Sequence, residues 1–289
     1  MSQTLVDFWK SIGIPFSRAD DIYVNIDSIL HYNKAQQIDL IGMGYVYTNP
    51  DYYQGTDAKE KLIAENDNLL DQAAKHPDRV TPYYTVDPLQ DWALEELERC
   101  YRLSPDGGLK MHFSTSQVYL TEPVHLQKVK PIFQKAAALG IPMLLHFDNW
   151  HPKFGPPDLE LLADSILQDI PAMTLKIAHF GTSGGFNDKT KRFLDTYIAL
   201  REQGRFLERH TILMDISAVA LDKDSEGVSQ LSSAEFQELN NYIYRIGIEN
   251  IVFGTDYPLY NSDTYRNILI DKVGLTDRDL KAITTPPPN

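Results

Sequence analysis

The sequence predicts an α/β fold, a single (β/α)8 TIM barrel domain that spans residues 1–289. Short apolar runs alternate along the chain with amphipathic stretches of helical length. The apolar runs recur about every 35 residues, and eight such repeats would nearly fill the chain. This strict alternation indicates parallel strands that are joined by right-handed crossovers.

Seven strands are visible as nearly continuous apolar runs, which are typical of strands covered on both faces. They are predicted at residues 40–47, 80–86, 108–113, 142–147, 174–180, 212–217 and 250–257. The remaining strand is predicted at residues 4–9, about one repeat before residue 40, with residues 22–26 as a competing candidate. We therefore expect the first strand of the barrel to be incomplete or degenerate.

Helices are predicted between the strands, and several carry start and stop signals. Their ranges are 28–38, 57–76, 88–104, 122–139, 157–169, 188–203, 233–247 and 264–272. Ser232 and Glu235 have the spacing of a capping box at a helix start. Gly140 follows another helix as a stop signal.

Composition and charge exclude several classes of protein. The formal net charge of −13 argues against a nucleic-acid partner, because binding to phosphate needs clustered lysine and arginine. There is no apolar run of membrane-spanning length and no signal-peptide pattern at residues 1–10, so a cytoplasmic protein without a membrane partner is expected. The single cysteine, Cys100, is predicted to be a packed helical thiol. A homo-oligomer is compatible with the sequence.

Polar side chains stand at the carboxyl ends of five predicted strands, which is where the active sites of such barrels lie. They are Lys110, His112, His146, His179, Asp215, Ser217 and Asp256. Imidazole and carboxylate groups bind metal ions, and they are also general acids and bases near neutral pH. His146, His179 and Asp256 are therefore predicted to form one functional site.

Further residues are predicted to contact a small-molecule substrate. Lys110 and His112 lie two positions apart on one strand, so they share a face and are expected to hold a carboxylate or a lactone carbonyl. Asp148 and Trp150 follow His146 and are expected to form a wall of the substrate site. Tyr257, next to Asp256, is also predicted to contact the substrate.

The set of strand ends resembles the amidohydrolase superfamily, and more closely its amidohydrolase-2 group of barrel hydrolases, lactonases and decarboxylases. The similarity runs from about residue 28 to residue 283, and its most specific parts are 178–181 (Ala-His-Phe-Gly) and 254–258 (Gly-Thr-Asp-Tyr-Pro). The resemblance implies attack by activated water on a carbonyl, assisted by one divalent metal ion, with zinc expected.

The resemblance also implies roles for the three central residues. His146 would be a metal ligand or a substrate contact, and His179 would polarise the carbonyl or move a proton. Asp256 would be the general base, and a bound metal would be held by these three side chains.

One motif of the family is absent, because no His-x-His occurs in the chain. The first strand of the family normally ends in this pair of metal ligands. If residues 4–9 are that strand, Trp9 and Ser11 stand in place of the histidines, and neither is a normal zinc ligand. Either the chain begins after the true first strand, or it is complete and has lost half of its ligands.

The function expected first is a hydrolase that cleaves a lactone, ester or amide bond of a small carboxylated substrate. A metal-dependent decarboxylase on the same scaffold is the second interpretation. A metal-free barrel that only binds a ligand is the third.

Overall fold

Seven β-strands are hydrogen-bonded in chain order within one sheet. The computed structural model describes residues 1–12, 25–147, 153–225 and 227–285. The strands are β1 (Ile38–Ile41), β2 (Val80–Thr85), β3 (Gly108–His112), β4 (Met143–His146), β5 (Thr174–Ile177), β6 (Thr211–Asp215) and β7 (Ile251–Val252). An α/β fold with the predicted alternation is confirmed, whereas closure into an eight-stranded barrel stays a prediction.

Helices separate the strands, most of them within a few residues of their predicted positions. They are α1 (Gln3–Ser11), α2 (Ile26–Tyr32), α3 (Ala58–Ala73), α4 (Ala93–Leu103), α5 (Pro123–Leu139), α6 (Pro156–Leu161), α7 (Asp188–Glu202), α8 (Ser233–Ile246), α9 (Ser262–Ile268) and α10 (Asp277–Thr284). The capping box at the start of α8 is present, because the Ser232 and Glu235 side chains each accept a backbone N–H of the other residue. Where local signals of this kind exist, helix boundaries follow them.

The chain divides into two compact units, the first comprising Met1–Val118 and Gln127–Leu144. In this unit β1 pairs with β2 and β2 with β3, both in parallel. Gly108 at the start of β3 has no room for a side chain, because a Cβ atom there would overlap the ring of Tyr83. Cys100 is fully buried in α4, as predicted for a packed thiol.

The second unit comprises Tyr119–Leu126 and Leu145–Asn289. Here β5 pairs with β6 and β6 with β7, again in parallel. Gly181 is the last residue of the 3-10 helix that follows β5, and a Cβ atom at this position would overlap the ring of Phe193 in α7. This close approach fixes α7 against the loop that follows β5. The prediction of one domain over the whole chain stays a prediction.

The prediction of a strand at residues 4–9 is wrong, because these residues lie in helix α1. The Ser2 hydroxyl accepts a hydrogen bond from the Leu5 amide at 3.1 Å and so caps the helix. The Ser2 backbone N–H in turn donates to the Glu65 carboxylate at 3.0 Å. Leu5 is fully buried beside Val46. Most of the competing range 22–26 lies outside the described residues, and Ile26 begins α2.

Three strands end at least three residues before their predicted apolar runs do. The run at 40–47 leaves the sheet after Ile41, and Gly44–Thr48 forms a 3-10 helix. The runs at 174–180 and 250–257 leave it after Ile177 and Val252. In each case the last residues of the predicted strand lie in a 3-10 helix or a loop, so their side chains do not belong to the sheet.

No helix among the described residues combines the length and apolarity that a membrane span requires.

Candidate active site

Strand ends in the second unit bring two predicted histidines together. His146 is the last residue of β4, and His179 lies two residues beyond β5. Their ring centroids are 5.1 Å apart and the rings meet edge to face, at 74°. Both side chains are buried, with 7% and 9% of their surface exposed. The predicted pairing of these imidazoles is therefore present.

Backbone strain is concentrated around these strand ends. His179, Phe180, Ala218 and Asp256 have φ values between 50° and 54°, in the left-handed region that non-glycine residues rarely adopt. The fifth such residue among those described is Gln117, in the loop after β3. Each costs about 1–3 kcal/mol, and such residues cluster at functional sites. The strain supports the interpretation of these loops as functional.

His179 is held by Ser217, two residues after the end of β6. Its Nδ1 lies 2.8 Å from the Ser217 carbonyl oxygen and 3.0 Å from Ser217 Oγ. Because a carbonyl oxygen only accepts hydrogen bonds, Nδ1 must donate and therefore carries a proton. In the neutral ring this leaves Nε2 as the nitrogen with the free lone pair.

Ser217 connects His179 to Asp215, the last residue of β6. The Ser217 hydroxyl donates to Asp215 Oδ2 at 2.7 Å, and the Ser217 amide donates to Oδ1 at 2.9 Å. Asp215 is buried, and this burial raises the pKa of its carboxyl group. The charge of His179 and the two Ser217 hydrogen bonds act against that increase, and the charge of Asp256 adds to it. His179 and Asp256 are therefore both close enough to act on Asp215.

Asp256 itself lies on an exposed turn, four residues beyond the end of β7. Tyr257 next to it is partly buried. Gly254 lies between β7 and this turn, and a Cβ atom there would overlap Asp215 Oδ1. The turn thus approaches β6 closely because residue 254 has no side chain.

Lys110 and His112 belong to the first unit, at the end of β3. Lys110 is buried, with 4% of its surface exposed. The His112 ring packs on Tyr45 with centroids 4.5 Å apart, and its Nδ1 accepts the Thr115 amide at 3.2 Å. Their predicted contact with a substrate stays a prediction. Asp148 and Trp150 lie outside the described residues.

Metal binding by His146, His179 and Asp256 is not supported by the arrangement of the described residues. Within residues 1–12, 25–147, 153–225 and 227–285, no three His, Cys, Asp or Glu side chains are grouped so that they could hold a metal ion. One nitrogen of His179 is also already occupied by Ser217. These residues therefore do not fit a complete metal site.

The sequence interpretation missed two structural features of the candidate site, namely the Asp215–Ser217–His179 hydrogen-bond chain and the close contact of Gly254 with Asp215. Asp215 and Ser217 had been identified only as polar strand-end residues. Their spacing of two residues was a signal, because it places both on one face at the end of a strand.

Comparison with known proteins decides the family. A family model described as amidohydrolase (Amidohydro_2) matches residues 49–284, which is most of the chain. The chain belongs to the amidohydrolase family. The resemblance seen in the strand ends is thereby confirmed.

Several amidohydrolase relatives are decarboxylases. The gamma-resorcylate decarboxylase of Polaromonas sp. is 26% identical over 236 residues, which are 72% of this chain and 69% of that protein. The structure of a 2,6-dihydroxybenzoate decarboxylase from Rhizobium matches with a TM-score of 0.60 and 18% identity, over 98% of this chain and 92% of the other. A 5-carboxyvanillate decarboxylase from Novosphingobium aromaticivorans, solved with bound manganese, gives a TM-score of 0.63 and 16% identity, over 99% and 87%. At these identities the two structures show a shared fold.

The prediction of a hydrolase or lactonase as the leading function is wrong. The relatives found by sequence and the structures of shared fold named above are decarboxylases. They favour the second interpretation, a decarboxylase on the same scaffold. The physical reason for the error is that histidine and carboxylate at strand ends serve water activation and carbon protonation equally well.

Proposed function

We propose that this amidohydrolase is a non-oxidative decarboxylase of a hydroxylated aromatic carboxylic acid. The similarity to a gamma-resorcylate decarboxylase over 72% of the chain carries the proposal. Gamma-resorcylate is 2,6-dihydroxybenzoate, and the fold shared with a 2,6-dihydroxybenzoate decarboxylase gives further support.

This reaction exchanges a carboxylate for a proton and needs no oxidant. A proton adds to the ring carbon that bears the carboxylate, the bond to that carboxylate breaks, and its electron pair returns to the ring as carbon dioxide leaves. Hydroxyl groups beside the carboxylate favour protonation because they raise the electron density at that carbon. The enzyme must therefore supply a positioned general acid and must keep the substrate oriented toward it.

The residues of the second unit offer suitable groups for this task. We assign delivery of the proton to His179 in its imidazolium form, from Nε2, because the Nδ1 proton is engaged by Ser217. The transfer leaves a neutral ring that keeps its proton on Nδ1. Asp256 is exposed and acts electrostatically on Asp215, as His179 does, so we assign it the exchange of protons with solvent after each turnover. His146, with its ring 5.1 Å from that of His179, is assigned to contact the substrate.

Whether the reaction requires a divalent metal ion is a question for experiment. The manganese bound to the 5-carboxyvanillate decarboxylase supports a divalent ion in this family, whereas zinc stays a prediction. Such an ion would supply electrostatic stabilisation of the substrate's oxygen atoms. The described residues provide an incomplete set of ligands for it, and the proposed roles of His179, Asp256 and His146 do not depend on a metal ion.

Product analysis of several candidate substrates tests the proposal. The purified protein is incubated with 2,6-dihydroxybenzoate, 5-carboxyvanillate and an aryl ester, each with manganese, with zinc or with a chelator. We expect the decarboxylated phenol from at least one aromatic acid, and no cleavage of the ester. Ester cleavage without any decarboxylation would overturn the proposal.

A further inference from the structure

We propose that Ser217 and Asp215 are positioning residues for His179. They hold the imidazole with its proton on Nδ1 and so present Nε2 as the reacting nitrogen. This positioning role rests on the proposed function, since it gives a structural basis for proton delivery from Nε2. It assigns a task to two side chains that need not touch the substrate.

The hydrogen-bond directions are determined by the chemistry of the three groups. A serine hydroxyl has one proton, and the Ser217 hydroxyl donates it to the Asp215 carboxylate at 2.7 Å. The lone pairs of Ser217 Oγ then face His179 Nδ1 at 3.0 Å. The Ser217 carbonyl oxygen, 2.8 Å from the same nitrogen, also only accepts.

The reverse arrangement would leave polar groups unsatisfied. If the Ser217 hydroxyl donated to a bare Nδ1, the Ser217 carbonyl oxygen would face a nitrogen lone pair at 2.8 Å. Asp215 Oδ2 would at the same time lose the 2.7 Å hydrogen bond from the hydroxyl. Leaving a buried acceptor without its donor costs about 1–3 kcal/mol. The proton on Nδ1 is therefore the arrangement that satisfies every group in the chain.

The position of the carboxylate depends on Gly254. A Cβ atom there would overlap Asp215 Oδ1 and would lie 2.9 Å from Ser217 Cβ. Gly254 has a φ value outside the left-handed region, so alanine is compatible with its backbone and the substitution acts through these side-chain contacts. Gly254→Ala thus disturbs Asp215 and Ser217 together without changing a residue of the hydrogen-bond chain itself.

Four variants of the full chain separate positioning from simple loss of stability. Ser217→Ala removes the hydroxyl, Ser217→Thr restores it, and Gly254→Ala disturbs Asp215 and Ser217 together. Thr190→Val is the matched control, because Thr190 is a fully buried hydroxyl of the same unit that bonds to Thr182 Oγ1 and the Gly185 carbonyl oxygen.

The first measurement is the imidazole NMR signature of His179 in the ¹⁵N-labelled protein, assigned by its loss in His179→Gln. We expect a protected proton on Nδ1 in the wild type, in Ser217→Thr and in Thr190→Val. In Ser217→Ala and Gly254→Ala we expect this resonance to shift or to exchange too fast for detection. A wild-type proton on Nε2 with a bare Nδ1, or a resonance that is insensitive to Ser217→Ala, would overturn the positioning role.

The second measurement separates kcat from KM with 2,6-dihydroxybenzoate as substrate. Ser217→Ala should lower kcat about tenfold or more, and Ser217→Thr should recover most of it. KM should stay within about twofold, because in a positioning role the Ser217 hydroxyl acts on His179 and not on the substrate. An unchanged kcat in Ser217→Ala would overturn the role. If the NMR signature responds as expected while the wild type decarboxylates none of the acids, the positioning of the imidazole stands and the proposed function fails.

Discussion

The Tyr265 hydroxyl donates a 2.5 Å hydrogen bond to the carbonyl oxygen of Ile216. The oxygen of the Tyr265 hydroxyl in turn accepts hydrogen bonds from the backbone amides of Val219 and Ala220 at 3.2 and 3.1 Å. One buried hydroxyl in α9 therefore satisfies three backbone groups of the turn after β6. Ser217 and the left-handed residue Ala218 lie inside that turn. Tyr265 thus stabilises the loop that holds His179.

Tyr265→Phe is predicted to destabilise the protein. The substitution removes three buried hydrogen bonds and leaves the Ala220 amide without its acceptor, whereas the Val219 amide and the Ile216 carbonyl keep their bond to each other at 3.2 Å. A buried donor without its acceptor costs about 1–3 kcal/mol, so we expect a fall in the thermal midpoint of about 2 °C or more, measured by circular dichroism.

Tyr84→Phe is the matched control for this prediction. Tyr84 is fully buried in β2, and its hydroxyl finds no hydrogen-bond partner among the described residues. Removing that hydroxyl should leave the midpoint unchanged or raise it, because no bond is lost. Equal losses of stability in both variants would contradict the assigned role of the Tyr265 hydroxyl.

Cys100 is predicted to be unreactive in the folded protein. Its side chain is fully buried, and burial together with the nearby Glu96 carboxylate raises the pKa of the thiol. Since the thiolate is the reactive form, a disulfide reagent at mildly alkaline pH should label the native protein far more slowly than the denatured protein. Equally fast labelling with and without denaturant would show that this thiol is accessible and ionised.

His210 is predicted to make the folded state sensitive to mild acid. Its ring is buried, with Nε2 2.8 Å from the Leu167 carbonyl oxygen, and burial lowers the pKa of the imidazole below its usual value of 6.5. The folded state therefore binds fewer protons than the unfolded state, so stability is lost as the pH falls below about 6.5.

The contribution of His210 is measured as the change in thermal midpoint between about pH 7.5 and pH 5.5. His210→Gln lacks the titrating ring and should show a smaller decrease than the wild type. Equal decreases in the two proteins would mean that other groups cause the acid sensitivity.

Asp256→Asn is predicted to lose activity without losing stability. The side chain is exposed, so replacing the carboxylate changes no packing, while removal of a general acid or base lowers rates by about a hundredfold or more. Asp263→Asn, at another exposed aspartate nearby in α9, is the control and should keep wild-type turnover. Full activity in Asp256→Asn would remove this residue from the proposed mechanism.

Much of the fold could be predicted because its signals are local. The helix predicted at 188–203 is observed at Asp188–Glu202, and the strand predicted at 108–113 at Gly108–His112. Residues 4–9 were assigned to a strand from repeat counting, which is a non-local inference. The Ser2 cap and the burial of Leu5 favour a helix there instead.

The proximity of the two histidines could be predicted from the sequence, whereas the hydrogen bonds that hold His179 could not. Strand ends placed His146 and His179 correctly, because parallel strands end at the same edge of a sheet. The Asp215–Ser217–His179 chain depends on left-handed backbone at His179 and Ala218, which an apolar run does not reveal. Whether these residues take a proton from water or deliver one to carbon also depends on the substrate, which strand-end residues alone do not identify.

The most direct test of decarboxylation is release of ¹³CO2 from carboxyl-¹³C-labelled 2,6-dihydroxybenzoate by the purified protein, with manganese and with a chelator in parallel. Decarboxylation predicts one equivalent of labelled carbon dioxide for each resorcinol formed, and loss of this release in His179→Gln. No labelled carbon dioxide under either condition, or equal release by His179→Gln, would contradict it.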